Sequence, residues 1–335
     1  MYNLQDYDFA FPPSLIAQKT AGKGKTKILH CPKNGGPVQI LESSQIIDLF
    51  NSGDCIVVNN TQVIPARLLG KTKNGGKAEI LLLKQLGNAT WEAWIKPGKA
   101  KEIFISDVRV EVAPRDYPYS SKNRIINFST ADFNSFLAKN GHVPLPPYIK
   151  RSDNAADKND YQTVFAKHAG AVAAPTASLH FSEDMVNELK NKGVRFAEVT
   201  LHVGPGTFEN IKETEDFRKH NMHSEEYEIT QAAANAINES DRVICIGTTS
   251  ARVLESVANE DGTVKESRGS TDIFIYPGFK FKATDALLTN FHWPKSSLIL
   301  LVSAFYGREN TLSAYKFAVE NSMKLFSYGD GMLII

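Results

Sequence analysis

Three histidines, His202, His220 and His223, fall in one short stretch, "TLHVGPGTFENIKETEDFRKHNMHSEE" (Thr200–Glu226), of a chain that holds eight. Imidazole titrates near neutral pH, so such a stretch either binds a metal or moves protons. The strand "VRFAEVTLHVG" puts Phe196, Glu198, Thr200 and His202 on one face and apolar residues on the other. A polar face that ends beside a Gly-Pro-Gly turn is where an α/β sheet exposes a site, or else His202 only caps a strand edge. On a helix, His220 and His223 would share a face near Glu225, a spacing that suits a metal. Against a metal stand the absence of an HExxH order, the absence of a cysteine partner, and the polar flanks "RKHNMHSEE".

Two further histidines sit at strand ends or helix entries, His180 in "APTASLHF" and His292 in "LLTNFHWPKSSL". Five of the eight histidines therefore lie in such places, and a single cluster built by several loops is the expected arrangement. Lys295 precedes a strongly apolar helix, where a cation opposes the helix dipole. That position suggests service to a carboxylate or phosphate. In "ICIGTTSARVLES", Thr248, Thr249 and Ser250 open a helix directly after a strand. Their hydroxyls and free N–H groups either bind an anion or simply cap the helix. No GxGxxG is present, so a Rossmann dinucleotide site is unsupported.

The elements that must position these residues change in texture along the chain. At 335 residues there is room for two domains. From Val63 to about Val112, short strands alternate with Gly, Asn and Pro turns, as in a small antiparallel barrel or sandwich. "GHVPLPPYIK" reads as a stiff connector. From about Thr163, strands and helices alternate, with Ser182 as N-cap of "SEDMVNELKNKG" and Gly193 past its end. "GDCIVVNN", near the N-terminus, is a buried strand of the same α/β kind. The β-rich segment thus reads as an insertion, residues 65–147, in an α/β domain of residues 1–64 and 148–335. Two domains in series is the alternative. The polar stretch Arg151–Asp160 and residues 120–122 read as exposed loops.

Net charge is +1, but residues 1–100 carry 12 Lys+Arg against 7 Asp+Glu, so a locally basic surface can meet phosphates. Cys31, Cys55 and Cys245 are few and far apart, which points to a reducing, cytoplasmic setting. No apolar run is long enough to span a membrane.

The motifs "NNTQVIPARLLG", "LPPYIKR", "YQTVFAKHAGAVAAPTASLHF", "VTLHVGPGTF", "HNMHSEEYEI", "IGTTSARVLES", "LLTNFHWPKSSLILLVSAFYG" and "YGDGMLII" closely resemble the S-adenosylmethionine:tRNA ribosyltransferase-isomerases of queuosine biosynthesis. The resemblance covers nearly the whole chain. It implies an α/β main domain, helices packed on a mostly parallel sheet, with an inserted small antiparallel β-barrel. It implies transfer and isomerisation of the ribosyl part of S-adenosylmethionine onto 7-aminomethyl-7-deazaguanine at the tRNA wobble position, giving epoxyqueuosine, adenine and methionine. S-adenosylmethionine is then a substrate, with no true cofactor and no metal. The expected partners are tRNAs of the Asp, Asn, His and Tyr type, and the protein is expected to be a monomer or weak homodimer.

Proton removal beside a sulfonium, departure of adenine and attack by a neutral amine all need acids and bases. On that basis the expected catalytic residues are His202, His223, His292 and Glu225. The expected substrate-binding residues are Gln162, His180, Thr248, Thr249, Arg252, Asn290 and Lys295, with Thr248, Thr249 and Arg252 on the methionine carboxylate or a tRNA phosphate. Arg67, Lys71, Lys73, Lys96 and Lys99 of the barrel would lie along the anticodon arm. Where the family usually reads Asn-Asp-Thr-Arg, this chain has Asn59, Asn60, Thr61 and Gln62, so an ion pair is replaced by two amides. That departure motivates an alternative, a catalytically impaired paralogue that binds tRNA. A methyltransferase using the same donor is opposed by the missing glycine-rich loop.

Overall fold

The computed structural model describes residues 2–114, 122–204, 211 and 216–335. Strands β1 (Lys27–Cys31), β2 (Gln39–Glu42) and β3 (Asp54–Asn59) begin the chain, and β4 (Thr61–Val63) leads out of them. Six strands of a second sheet follow: β5 (Arg67–Thr72), β6 (Lys77–Gln85), β7 (Thr90–Lys96), β8 (Glu102–Ile105), β9 (Val108–Val112) and β10 (Arg124–Phe128). Helix α1 (Phe133–Asn140), β11 (Gly141–His142), α2 (Asp157–Asp160) and β12 (His168–Ala171) bring the chain back. Then come α3 (Glu183–Asn191), β13 (Arg195–Leu201), β14 (Glu225–Ile229), α4 (Gln231–Asn238), β15 (Arg242–Ile246) and α5 (Thr248–Val257). The chain finishes with β16 (Ser267–Thr271), β17 (Ala286–Asn290), α6 (Ser297–Tyr306), α7 (Arg308–Glu320) and β18 (Gly331–Ile334).

The large sheet has the order β16-β14-β13-β3-β15-β17-β18-β1-β2. Its four central strands, β13, β3, β15 and β17, are mutually parallel, and β14, β16, β18 and β2 each pair antiparallel with a neighbour. Parallel strands covered on both faces need apolar side chains on both, which is why "CIVV", "VICI" and "ALL" within these strands are unbroken apolar runs. In β3 the alternation is explicit. Cys55 and Val57 join the core under α4–α7, while Ile56 and Val58 join the core under α3 and the turns around Ile46 and Phe50. Ser182 caps α3 by accepting from the Met185 N–H, and Gly193 follows the helix at φ 88°, as the sequence pattern requires.

The second sheet closes. Its order is β11-β5-β6-β7-β10-β9-β8, and β8 pairs back onto β5, making a six-stranded antiparallel barrel with β11 at its side. Leu68, Ile80, Leu82, Ala93, Ile103, Val110 and Ile126 fill it, and Phe133, Phe136 and Leu137 of α1 stopper one end. Closure needs Gly70, because a Cβ there would stand 2.4 Å from the Phe104 carbonyl oxygen across the seam. The central parallel strands come from chain on either side of the barrel segment. Outgoing and returning chain pair as β4 with β12, and Gln162 clamps the junction, accepting from the Val63 N–H (3.1 Å) and donating to its carbonyl (2.7 Å).

The returning chain is anchored where the sequence reads as an exposed loop. Asp157, 1% exposed, accepts from Arg151 Nη1 (2.6 Å) and Nη2 (2.7 Å), from the Asn154 N–H (2.8 Å) and from the Tyr328 hydroxyl (3.0 Å). The Arg151 guanidinium holds the Asp157 carboxyl below its usual range. Asp157→Ala should therefore cost about 3 kcal/mol of unfolding free energy, the low end for breaking a buried pair since Arg151 is partly exposed. Chemical denaturation measures it, and an unchanged midpoint would show that the pair does not anchor this segment. Residues 120–121 lie outside the described residues.

Candidate functional site

A cavity of about 580 Å³ opens at the C-terminal ends of β13, β15 and β17, the edge at which parallel α/β sheets expose ligand sites. Val203 follows β13, Gly247–Thr249 follow β15, and Thr289–Trp293 carry the chain out of β17. Phe11, Tyr148, Trp293 and Phe326 make an aromatic wall. Trp293 and Phe326 are stacked, centroids 4.3 Å apart and planes 11° from parallel, and Phe11 meets both edge-on.

Helix α5 begins at this cavity. Its N-cap is Gly247, at φ 90°, which an L side chain rarely adopts, and no side chain caps it. The hydroxyls of Thr248 and Thr249 are thus not spent on capping, and Thr249 Oγ1 is buried with no partner among the described residues. One turn further in, Arg252 is 4% exposed. Its Nη1 donates to Glu225 Oε2, and Glu225 Oε1 accepts from the Gly204 N–H (2.9 Å). Nε and Nη2, which form one edge of the guanidinium, have no partner among the described residues. Elsewhere in the molecule the same edge of Arg242 grips Asp54 bidentately, at 3.0 and 2.6 Å. The Arg252 edge is an unfilled carboxylate fork, and α5 adds its N-terminal dipole.

The five histidines do not form one cluster. His292 lines the cavity, with Nε2 on Thr289 Oγ1 (2.8 Å), and burial pushes its pKa down to about 3. His180 is a core residue. Its Nε2 accepts from Asn290 Nδ2 (3.2 Å), so Nδ1 carries the proton and donates to Thr26 Oγ1 (2.7 Å); burial pushes it to about 4. His202 lines a second, polar cavity of about 360 Å³ with Thr200, Glu226, Glu228 and Arg268. Thr61 Oγ1 holds its Nδ1 at 2.8 Å, and Gly170 packs so closely that a Cβ there would lie 2.8 Å from the ring. Burial lowers its pKa, while Glu226 and Glu228 pull the other way. His220 ends a short 3₁₀ turn, edge-on to Phe274, and His223 lies in irregular chain before β14, so the two do not share a helix face. No group of three or more His, Cys, Asp or Glu among the described residues is arranged to hold a metal. Pro205 and Gly206 of the turn after His202 lie outside the described residues.

Of the other expected site residues, Asn290 lines the cavity and accepts from Thr176 Oγ1 (2.8 Å). Gln162 is committed to Val63 as above. Lys295 is not on the cavity wall; it meets Asp8 (3.3 Å) and Gln5 (3.4 Å). On the barrel, Arg67 pairs with Glu79 and Lys73 with Glu102, while Lys71, Lys96 and Lys99 are exposed. Asn60 donates to Glu198 (3.2 Å) and accepts from Thr200 (2.7 Å), so it does not pair with Gln62. Sequence reasoning missed the aromatic wall and Tyr161, whose buried hydroxyl makes no hydrogen bond of good geometry among the described residues. The only signal was the apolar and aromatic content of motifs chosen for their histidines.

With this geometry the chain can be set beside known proteins. It matches the family described as "Queuosine biosynthesis protein" over residues 4–334. The chain belongs to that family. The S-adenosylmethionine:tRNA ribosyltransferase-isomerase of Clostridioides difficile is 46% identical, over 98% of this chain and 99% of its own. The enzyme of that name from Geobacter sulfurreducens is 45% identical, over 98% of each. Among solved structures, the S-adenosylmethionine tRNA ribosyltransferase of Thermotoga maritima matches with a TM-score of 0.57 at 30% identity, over 98% of this chain and 100% of that one.

The two buried imidazoles fix a pH behaviour for the family's fold here. An unfolded histidine titrates at about 6.5. His180 and His292 titrate lower in the folded state, so below pH 6.5 the unfolded chain binds protons that the folded chain refuses, and stability falls as pH falls toward 4. Ring C–H NMR should show both residues untitrated between pH 7.5 and 5. A midpoint near 6.5 for either would contradict the burial argument.

Proposed function

We infer that this chain is an S-adenosylmethionine:tRNA ribosyltransferase-isomerase. It moves the ribosyl group of S-adenosylmethionine onto 7-aminomethyl-7-deazaguanine in tRNA, rearranges it to epoxyqueuosine and releases adenine and methionine. One observation carries the site: the Thr249 hydroxyl on the wall of a cavity with an aromatic side, and the Nε–Nη2 edge of Arg252 one turn behind it, both without a hydrogen-bond partner among the described residues. That pairing suits a ligand with a carboxylate at one end and a heteroaromatic ring at the other, which is the shape of the donor. Thr248, Thr249 and Arg252 are assigned to the methionine carboxylate. Asn290 and His292 line the same cavity.

The roles of the ionisable groups follow from their surroundings. His292, with a pKa near 3, is neutral at physiological pH and is assigned to hydrogen bonding rather than to proton delivery. His202 is kept as the proposed base, reached from the second cavity rather than the one assigned to the donor; burial lowers its pKa, and Glu226 and Glu228 oppose that lowering. His223 is kept as a second catalytic residue, lying just before β14. Glu225 acts through Arg252 and Gly204 and is a positioning residue, because both its oxygens are engaged.

Residues 65–147 are proposed as a barrel domain that faces the tRNA, inserted in a catalytic domain of residues 1–64 and 148–335. Exposed Lys71, Lys96 and Lys99, with Arg67 and Lys73, supply the charge for the anticodon arm. The acceptors are proposed to be tRNAs of the Asp, Asn, His and Tyr type, and the enzyme to act in the cytoplasm as a monomer or weak homodimer. No helix among the described residues is long and apolar enough to cross a membrane.

Incubation with aminomethyl-deazaguanine tRNA and S-adenosylmethionine tests the reading. Adenine and methionine should appear in equal amounts, one of each per tRNA modified. Release of S-adenosylhomocysteine would make the chain a methyltransferase, and tRNA binding with no small product would make it a binding protein.

A further inference from the structure

We propose that the aromatic end of the large cavity is the subsite for the donor's purine, and that Tyr161 selects it by donating its phenolic proton to a purine ring nitrogen. The assignment rests on the reading that this cavity takes S-adenosylmethionine. Trp293 and Phe326 form a ready stacked slab, with Tyr148 tilted against both at 5.6 and 5.3 Å, so a flat heteroaromatic ring finds π-faces and edges already in place. Stacking alone does not distinguish one ring from another. A polar group must do so, and among the described hydroxyls at this end only that of Tyr161 has no acceptor for its proton. Tyr148 and Ser327 hydrogen-bond each other. Tyr161, 1% exposed and on the cavity wall, makes no hydrogen bond of good geometry among the described residues; the Ala174 backbone N–H and the Ser327 hydroxyl approach its oxygen as donors, which leaves its own proton without an acceptor.

The ring of Tyr161 is not free to swing toward water. It packs edge-on against Tyr328, 5.7 Å between centroids, and the Tyr328 hydroxyl is tied to Asp157. A buried hydroxyl without a partner is a destabilised state that an acceptor from a ligand relieves. Burial also holds the phenol well above its ordinary pKa, so at neutral pH it offers a proton. Adenine presents three unprotonated ring nitrogens, at positions 1, 3 and 7, that can accept it. Thr248 and Thr249 at the start of α5 line another part of the same cavity, with Arg252 one turn further along the helix, so both ends of one extended molecule have a counterpart.

The test is equilibrium binding of S-adenosylmethionine and its 1-deaza, 3-deaza and 7-deaza adenine analogues to the wild type and to Tyr161→Phe. Each analogue replaces one ring nitrogen by C–H. One of the three should bind the wild type about 3- to 10-fold more weakly than S-adenosylmethionine, the scale of one net hydrogen bond. On Tyr161→Phe the same replacement should cost less than about twofold, and the variant should keep its circular-dichroism spectrum. If all three analogues show the same ratio on both proteins, Tyr161 does not read the purine. A wild type that binds S-adenosylmethionine but shows no coupling loses only this assignment. A wild type that does not bind S-adenosylmethionine overturns the functional reading, and this assignment with it.

Discussion

The guanidinium of Arg252 is held through Nη1 by Glu225 and left empty along its other edge among the described residues, and the site is arranged around that asymmetry. A buried charge needs a partner, and Glu225 supplies one while also taking the Gly204 N–H. The sheet order makes this meeting possible. β14 lies antiparallel beside β13, which brings Glu225, at the start of β14, next to the end of β13. α5 follows β15, two strands away, and packs against β13. Had β14 run the other way, its first residue would lie at the opposite edge of the sheet and Arg252 would have no counter-charge. The pair fixes the arginine without using its bidentate edge, and the helix start at Gly247 leaves the threonine hydroxyls unspent. Both features leave donors waiting on successive turns of one helix.

The barrel answers a different constraint. A strand face that is not covered by helices must be polar, and β13 turns Glu198, Thr200 and His202 to that side. Apolar packing joins the barrel to the main domain through Ile64 and Val172, which belong to its core, and a charged contact is added where Lys84 of the barrel reaches Glu226 at 2.7 Å; beside it, within the main domain, Lys167 reaches Glu198 at 2.6 Å. Exposed pairs of this kind contribute only about 0–1 kcal/mol each. They set the placement of the barrel near His202 more than they stabilise it. Acidic groups around His202 and basic groups on the barrel exterior therefore belong to neighbouring parts of one surface.

What the sequence discloses and what it hides divide along physical lines. The apolar runs of β3, β15 and β17 were legible because burial on both faces favours apolar side chains there and confines polar ones to the strand ends. Ser182 and Gly193 were legible because capping is local. The central strands are parallel as expected, but the antiparallel flanks carried no local mark. The histidines misled when counted together. His180 is satisfied by Thr26 and Asn290, 154 and 110 residues distant, and no spacing rule reports such partners. Lys295 looked like a ligand group because its counter-charge, Asp8, lies at the far end of the chain. Arg151–Asp160 looked like a loose loop because its polar residues pair with each other and with Tyr328. Tyr161 was invisible for the opposite reason, since a missing partner can be seen only once every neighbour is placed.

The central claim is that the empty edge of Arg252 receives the donor's carboxylate. Binding of S-adenosylmethionine and of its decarboxylated analogue, measured on the wild type and on Arg252→Gln, isolates that contact. The wild type should prefer the intact donor by roughly 10- to 100-fold, as expected for charge-assisted bidentate hydrogen bonds. Arg252→Gln should bind the two ligands nearly alike. If Arg252→Gln keeps the full preference for the carboxylate, the fork serves something else and the account of the site is wrong.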